Sequence, residues 1–407
     1  MNFEISEKVQ VILEMTQEFL EKEVYPLEAH FVGRKFRDML PEVKRCREMV
    51  KKMELWGPQI PKELGGMGLS LVDHALMTEV LGSSPLGHLL FGCQAPDAGN
   101  IEILEKYATP EQREEYLVPL ANGDIRSCFS MCEPELAGSN PTELATTAVR
   151  DGDQWVINGH KWFSSAADGS KFAIVMAVTD PEAHVYQRAS MIIVPTDTPG
   201  FNLIRNISVM GHAGDDYASH GEIMYQNCRV PAENLLGPQG HGFIIAQERL
   251  GPGRIHHCMR WIGICNRSFD MMCKRATERI VGGGKPLAQK QIIQEWIAEC
   301  RAEIHAARLM VLHAAWKIQH EGQYAAREEI SMIKFFVAPI MLKVIDRAIQ
   351  VHGALGVSDD TILSFFYRQE RASRIYDGPD EVHKVVLSRR VLRDYREEIS
   401  KQRLSRP

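Results

Sequence analysis

The sequence predicts an α+β protein of three successive domains: an N-terminal all-α domain, a middle β-barrel domain and a C-terminal four-helix-bundle domain. The chain has 407 residues, about two to three times the usual length of one domain. Apolar residues follow a helical period towards both ends of the chain and an alternating, β-branched pattern between them. We therefore place the domains at 1–125, 126–238 and 239–407.

The first domain is predicted to be helical throughout. Val9, Ile12 and Leu20 recur near the 3.6-residue period of an α-helix, and Pro110 begins another helix directly after Thr109. Glycines and prolines at 61–68 separate such helices.

The middle domain is predicted from seven short stretches that alternate in polarity or are rich in β-branched residues. These strands are Arg126–Cys132, Thr146–Arg150, Gln154–Phe163, Phe172–Val178, Ser190–Val194, Phe201–Val209 and His220–Val230. The Gly, Asp, Asn and Pro residues between them are typical of turns. Short strands over roughly a hundred residues favour a small barrel or sandwich.

The third domain is predicted from the return of the helical period after Gly242. Its helical segments are Phe243–Leu250, Ile255–Thr277, Gln289–His320, Arg327–Val351 and Arg389–Ser400. Segments of this length suit a bundle of antiparallel helices.

Charge and hydropathy exclude several classes of function. With 47 basic and 53 acidic side chains, the chain has no overall electrostatic reason to bind nucleic acid or an anionic membrane. The first thirty residues lack the basic start and apolar block of an export signal. The apolar runs are also much shorter than the roughly 20 residues of a membrane helix. We expect a cytoplasmic protein with no nucleic-acid or membrane partner.

The sequence also gives no reason to expect a metal site. None of the nine cysteines has the spacing of a zinc or thioredoxin site, so buried thiols are expected. His256-His257-Cys258 lacks a third ligand at metal spacing and is predicted to be a packed pair of histidines. The glycines at 282–284 lack the remainder of a phosphate-binding loop.

One candidate site is formed by Phe129–Ser139 and by Gly159–Ser165. The first segment is a strand running into a loop of small residues, which lets backbone amides approach a ligand closely. The second places an aromatic ring beside hydroxyls and suits a flat polar ring system. A β-hairpin with an aromatic plug is the alternative interpretation.

The other candidate site is Arg374–His383. Its Asp377-Gly378-Pro379 string lies between helical stretches, and such a bend directs one carboxylate away from its solvent-facing neighbours. The alternative is an ordinary turn in which Asp377 caps the following helix.

These segments, in this order, resemble the acyl-CoA dehydrogenase family of flavoproteins over nearly the whole chain. The resemblance rests on Cys132–Ser139, Val156–Lys161, Arg229–Gly237, Arg254 in Gly-Pro-Gly-Arg, and Gln350–Gly356. Phe91–Asn100, Leu250–Arg260 and Asp377–His383 are further similar to the subgroup of family members 10 and 11.

The resemblance implies an FAD-dependent oxidoreductase of fatty or hydroxy acid catabolism, as in β-oxidation. Asp377 matches the base that removes the α-proton of an acyl-CoA while the β-hydride leaves to the flavin, giving a trans-2-enoyl-CoA. Its backbone N–H and a flavin hydroxyl would hold the thioester oxygen. Bound substrate would desolvate the carboxylate and raise its pKa. A 4-hydroxy- or 4-phosphoryloxyacyl-CoA is a possible substrate, its phosphorylation then coming from a separate protein.

The resemblance also implies binding residues and partners. FAD would be met by Phe129, Met131, Cys132, Gly138, Ser139, Phe163 and Ser165, and from a neighbouring subunit by Arg279, Gln350, Gly353, Ala354, Pro379, Asp380 and Glu381. The acyl-CoA would be met by Ser139, Gly251, Arg254 and Gly378. A cofactor shared between subunits implies a homodimer or homotetramer, and an electron-transfer flavoprotein would accept the electrons.

Several positions depart from the family pattern. Asp377 stands where most relatives have the longer Glu, Cys132 and Pro379 each replace a Thr, and Glu135-Leu136 lengthens the first loop. The aromatic residue expected shortly after Arg279 is missing. Because nitroalkane-oxidising relatives also use Asp, a flavin oxidase or monooxygenase is one alternative function. A non-catalytic, flavin-free binding protein is another.

Overall fold

The structure, a computed structural model, describes residues 4–404 and has the α+β, three-part order that the sequence predicts. The N-terminal part contains α1 (Glu7–Phe19), α2 (Glu28–Gly33), α3 (Leu40–Lys52), α4 (Leu71–Leu81), α5 (Gly87–Leu90), α6 (Asp97–Tyr107), α7 (Pro110–Gln112) and α8 (Val118–Ala121). The middle part contains β1 (Ser127–Ser130), β2 (Thr147–Asp151), β3 (Gln154–Ser165), β4 (Phe172–Val178), β5 (Ala189–Pro195), β6 (Phe201–Asn206), β7 (His220–Pro231) and β8 (Leu235–Leu236).

The C-terminal part consists mainly of long helices. It contains α9 (Gly242–Glu278), β9 (Ile280–Val281), β10 (Lys285–Pro286), α10 (Gln291–Glu321), α11 (Arg327–His352), α12 (Ala354–Val357), α13 (Ile362–Glu370) and α14 (Asp380–Leu404). By their contacts the residues form two compact units. The sheet unit comprises 21–69 and 86–253, and the bundle unit comprises the chain up to Leu20, 70–85 and the chain from Arg254 onward.

The strands of the sheet unit form one mainly antiparallel sheet. The order is β6-β7-β3-β2-β4-β5-β8, and β1 pairs with β4 in parallel. Within residues 4–404 this order ends at the edge strands β6 and β8, so it shows a sheet and not a closed barrel. The predicted strands are confirmed, whereas the barrel closure is not shown.

Strand β4 is buried on both faces. Phe172 and Ile174 belong to a hydrophobic core shared with α6 and α8, while Ala173 and Val175 belong to a second core shared with β3 and β7. A strand covered on both faces is apolar at every position instead of alternating. This strand supports β1, from which the first candidate loop leaves.

The bundle unit differs from the prediction at α9 and α14, and its short helices α12 and α13 were not predicted. The segments Phe243–Leu250 and Ile255–Thr277 are a single helix, α9, with Pro252 inside it. A proline removes one backbone donor but does not by itself end a helix. The last helix begins at Asp380, nine positions before the predicted Arg389. Within the unit, α10 packs on α4 and α11, and α11 packs on α13 and α14.

No helix within the described chain has both the length and the apolar character to cross a membrane.

Candidate functional site

In the sheet unit, the two segments that the sequence marks lie side by side. The backbone N–H of Trp162 on β3 donates to the carbonyl oxygen of Cys132 at 3.0 Å. The Lys161 ammonium donates to the carbonyl oxygen of Met131 at 2.8 Å and to the Glu133 carboxylate at 2.8 Å. Strand β3 therefore fixes the loop that follows β1 through three consecutive residues of that loop.

The Lys161–Glu133 ion pair is fully buried. The Lys161 side chain is 0% exposed and that of Glu133 is 2% exposed. Glu133 also accepts from the backbone N–H groups of Ala145 at 2.6 Å and Thr146 at 2.9 Å. Burial alone would raise the pKa of Glu133, but the Lys161 charge and these hydrogen bonds hold it below its ordinary value. The pair thus holds the start and the end of the loop together.

A bulge in β3 presents an aromatic ring next to a hydroxyl. The pairing of β3 with β7 shifts register between Lys161 and Ser164, and Phe163 within the shift has φ +49°. Such bulges redirect side chains, and the Phe163 residue is 43% exposed. Ser165 Oγ lies 2.8 Å from Nδ1 of His220, whose ring centroid is 5.8 Å from that of Phe163. His220 thus contacts both of these predicted cofactor residues.

The rest of the loop is divided between a core contact and an exposed tip. Phe129 in β1 and Met131 in the loop pack against the core shared with α6 and α8, while Gly138 and Ser139 are exposed. The guanidinium of Arg249 lies 4.1 Å from the centroid of the Phe129 ring and donates to Asn100 Oδ1 at 3.0 Å. Sequence reasoning missed Arg249, because only the fold brings the end of the sheet unit to β1.

The loop is also tied to the sheet at Glu135, by a histidine. His160 contacts Glu135 through Nδ1 at 2.7 Å and Glu222 through Nε2 at 3.1 Å. Burial would lower the pKa of His160, but the two carboxylates raise it above its ordinary value. Charge thus favours the contact between His160 and Glu135, which ties this part of the loop to β3.

In the bundle unit, Asp377 occupies a strained turn with its carboxylate and its carbonyl both engaged. Its φ is +54°, uncommon for a residue with a side chain. The carbonyl oxygen accepts from Arg254 Nε at 3.0 Å and from His383 Nε2 at 3.1 Å. Oδ2 lies 3.1 Å from Nε2 of His257, and the Asp377 side chain is 22% exposed. Since α14 begins at Asp380, Asp377 does not cap it.

Gly378 is required by the same turn. Its φ is +102°, and a Cβ at this position would lie 2.7 Å from Nε2 of His383. A side chain would therefore push away the histidine that binds the carbonyl of Asp377. The glycine of the Asp-Gly pair that the sequence marks is therefore needed sterically.

A buried lysine supports the turn from α11. Lys334 is 0% exposed and donates to the carbonyl oxygens of Ser373 at 2.6 Å and Gly378 at 3.4 Å. Its ammonium also lies 5.2 Å from the ring centroid of Trp261 and 5.3 Å from that of Tyr376. The turn is therefore held from α9, α11 and α14 together.

The remaining predicted residues differ in how far they are exposed to solvent. Arg279, Gln350, Gly353 and Ala354 are exposed at the ends of α9 and α11 and at the start of α12, and Glu381 is exposed on α14. Asp380, by contrast, is buried and accepts from Arg374 Nε at 2.6 Å, while Pro379 is half-buried and Gly251 is buried. Their roles toward a cofactor or substrate stay predictions.

The pair His256-His257 is separated by the fold. His256 packs against His74 of α4 with ring centroids 4.5 Å apart, as a packed histidine does, whereas His257 reaches Asp377. Within the described residues no group of His, Cys, Asp and Glu is arranged to hold a metal ion. Sequence reasoning missed His257. The signal that could have identified it is its position three residues after Arg254, which places both residues on the same face of a helix.

Buried His383 makes stability depend on pH. Burial lowers its pKa to about 4, against about 6.5 in an unfolded chain. Between these values the unfolded state binds more protons, so stability is complete above pH 6.5 and falls as the pH drops towards 4, by up to about 3 kcal/mol. We expect the urea midpoint to fall over this range and to fall less in His383→Gln. The control is His305→Gln, which replaces an exposed histidine and should leave the dependence of the urea midpoint on pH as it is in the wild type. The same dependence on pH in the wild type and both variants would contradict the prediction.

Comparisons with known proteins agree along the whole length. Family profiles for the N-terminal, middle and C-terminal domains of acyl-CoA dehydrogenase match residues 6–124, 128–228 and 240–392. FadE2 of Mycobacterium tuberculosis is 43% identical over 96% of this chain and 96% of its own. Acyl-CoA dehydrogenase family member 11 of Gallus gallus is 43% identical over 96% of this chain but only 51% of its own, so this chain spans about half of that relative. A solved Mycobacterium abscessus structure, described as an acyl-CoA dehydrogenase, superposes with TM-score 0.91 at 40% identity, covering 97% of this chain and 100% of its own.

Proposed function

The chain belongs to the acyl-CoA dehydrogenase family, and from that premise we propose that it is an FAD-dependent enzyme that converts an acyl-CoA thioester to the trans-2-enoyl-CoA. The observation that carries the proposal is the Asp377 turn. It holds a carboxylate that is 22% exposed and in contact with His257, and we assign this carboxylate as the base.

The sheet unit has residues that fit a flavin. The β3 bulge offers the exposed ring of Phe163 beside the hydroxyl of Ser165, and the exposed tip at Gly138 and Ser139 lets a ligand approach the backbone closely. We assign these residues to FAD. When bound, FAD would supply the acceptor for the hydride that leaves the β-carbon.

The chain itself supplies the proton chemistry. A thioester carbonyl acidifies the adjacent C–H, and the Asp377 carboxylate takes that proton. Arg254 and His383 bind the carbonyl oxygen of Asp377 and so fix the peptide plane between Asp377 and Gly378, on the C-terminal side of the base. We assign the backbone N–H of Asp377 as a donor to the thioester oxygen, where negative charge develops.

The turn geometry suits a short base. Aspartate has one methylene less than the glutamate that is usual in the family, so its backbone must lie closer to the substrate. A left-handed residue next to a glycine permits close backbone approach. The same substitution in nitroalkane-oxidising relatives keeps a flavin oxidase as the rival function.

We extend the proposal to the substrate class, the electron acceptor and the oligomeric state. Similarity to family members 10 and 11 favours a 4-hydroxy- or 4-phosphoryloxyacyl-CoA, with electrons passing to an electron-transfer flavoprotein. A homodimer or homotetramer is supported by the exposure of Arg279, Gln350, Gly353 and Ala354, which the resemblance assigns to a cofactor shared between subunits.

The test is anaerobic mixing of the purified, FAD-loaded protein with plain, branched and 4-substituted acyl-CoA thioesters. We expect at least one thioester to bleach the flavin absorbance at about 450 nm, while free CoA and the free acids leave it unchanged. Oxygen consumption with nitroalkanes and no bleaching by any thioester would favour the oxidase. A protein that purifies without FAD and does not bind added FAD would favour the binding protein.

A further inference from the structure

His257 contacts the proposed base from a fixed position on α9. Arg254, His257 and Trp261 are spaced i, i+3 and i+7, and therefore lie along one face of the helix. Arg254 binds the backbone carbonyl of Asp377, and His257 Nε2 lies 3.1 Å from its Oδ2. One helix face thus engages the main chain and the side chain of the same residue.

The His257 ring is held by aromatic neighbours. It stacks on Trp261 with a centroid separation of 6.1 Å and an interplanar angle of 21°, and it lies 4.9 Å from the ring of Tyr376. Trp261 Nε1 in turn donates to the Tyr376 hydroxyl at 3.2 Å and to Glu370 at 3.0 Å. A ring packed in this way keeps one orientation, which is what a group that positions another requires.

The contact bears on the direction of the carboxylate. The two side chains are 20% and 22% exposed, so both groups are largely shielded from water. A proton transfer needs the acceptor oxygen within hydrogen-bonding distance of the substrate, and a misplacement of about 1 Å costs up to about 100-fold in rate.

We propose that His257 is a positioning residue: its Nε2–H donates to Oδ2 of Asp377 and holds the carboxylate in the orientation from which it takes the α-proton. This inference rests on the proposed function. His257 also affects the protonation of the carboxylate, because a donor to the charged form stabilises that form.

Other charged or titratable groups face the same carboxylate. They are Arg254 and Cys258 from α9, Lys334 from α11, His383 from α14 and Tyr376 from the turn itself. None of them is altered in the variants below, so a change in the pH profile can be attributed to His257.

The experiment compares His257→Gln and His257→Leu with the FAD-loaded wild type. Gln keeps a donor that does not titrate, and Leu keeps apolar contact without a donor. In His257→Leu, we expect the rate constant of anaerobic flavin reduction to fall about 10- to 100-fold, with acyl-CoA dissociation constants and FAD content unchanged. The acid limb of the pH profile should also move to higher pH. His257→Gln should stay within a few-fold of wild type.

A matched control is His256→Gln, which alters the neighbouring histidine that packs on His74. It should leave the acid limb in place, and melting temperatures of all variants identify any that are misfolded. Crystal structures of the wild type and His257→Leu give a readout independent of turnover: one carboxylate orientation in the first and a different one in the second.

The two proposals fail in different ways. A wild type that reacts with no thioester refutes the proposed function but leaves the crystallographic comparison to decide whether His257 orients Asp377. A reactive wild type with His257→Leu equally fast, the same acid limb and the same carboxylate orientation overturns the positioning role. Equal losses in the Gln and Leu variants with an unmoved acid limb overturn it as well, since packing alone would explain them.

Discussion

Replacing Asp377 by asparagine is expected to abolish flavin reduction by acyl-CoA while FAD and the substrate still bind. A positioned general base contributes roughly 10²- to 10⁴-fold, and a carboxamide cannot accept the α-proton. The fold of the turn should survive, because asparagine tolerates the left-handed backbone of this position, φ +54°. Arg254 and His383 bind the backbone carbonyl, which the change leaves in place.

Stopped-flow absorbance under nitrogen measures the rate, and exchange of the α-proton in heavy water measures the base directly. Both should be lost together in Asp377→Asn. Asp360→Asn, a substitution on the exposed surface of the same unit, should match the wild type in both measurements. Turnover retained by Asp377→Asn would mean that another group is the base.

A strand could be predicted from the sequence where its own residues show a clear apolar pattern. Strand β4 spans Phe172–Val178 as predicted, because burial on both faces leaves an uninterrupted apolar run. Strands β8, β9 and β10 were missed, since two residues each are too few to show any period. The barrel depends on how edge strands meet, which no local pattern encodes.

The predicted break in the helix before Ile255 is wrong, again because local residues alone do not decide the structure. Gly251, Pro252 and Gly253 all disfavour a helix locally, yet α9 runs through them. Tertiary packing on either side overrides local propensity. Because α9 continues without a break, Arg254 and His257 share one helix face.

The candidate site was predictable to the extent that it is local. Asp377 and Gly378 form their turn with neighbouring residues, so the sequence marked both. His257 was interpreted as half of a packed pair, and only its phase relative to Arg254 distinguishes it from His256. The partners of Lys161 lie about thirty positions away along the chain, and a lysine in an alternating strand gives no sign that it is buried.

Replacing Lys161 by methionine is expected to cost about 3–5 kcal/mol in the stability of the sheet unit and to release FAD. The change leaves the Glu133 carboxylate buried without its counter-charge, which is the costly way to break a buried pair. It also removes the donor to the carbonyl of Met131, so the loop loses two of its ties to β3. Urea unfolding followed by tryptophan fluorescence, together with the FAD content after gel filtration, measures both effects.

The control for burial is Lys171→Met in the same unit. Lys171 and Asp197 form an ion pair 3.3 Å apart whose side chains are 61% and 73% exposed; such pairs are worth at most about 1 kcal/mol. Nearly wild-type stability and FAD content are expected. If Lys171→Met and Lys161→Met were equally destabilising, burial would not be the reason for the effect.

A second substitution separates the charge from the hydrogen bond. In the wild type the N–H groups of Ala145 and Thr146 donate to different oxygens of Glu133. Adding Glu133→Gln to Lys161→Met removes the uncompensated charge and keeps one of these two acceptor oxygens. If the buried charge causes the loss, the double variant should be more stable than Lys161→Met alone, a coupling that a double-mutant cycle measures. If the losses simply add, the hydrogen bond to the Met131 carbonyl is what holds the loop, and the pair is not the main support of the flavin segment.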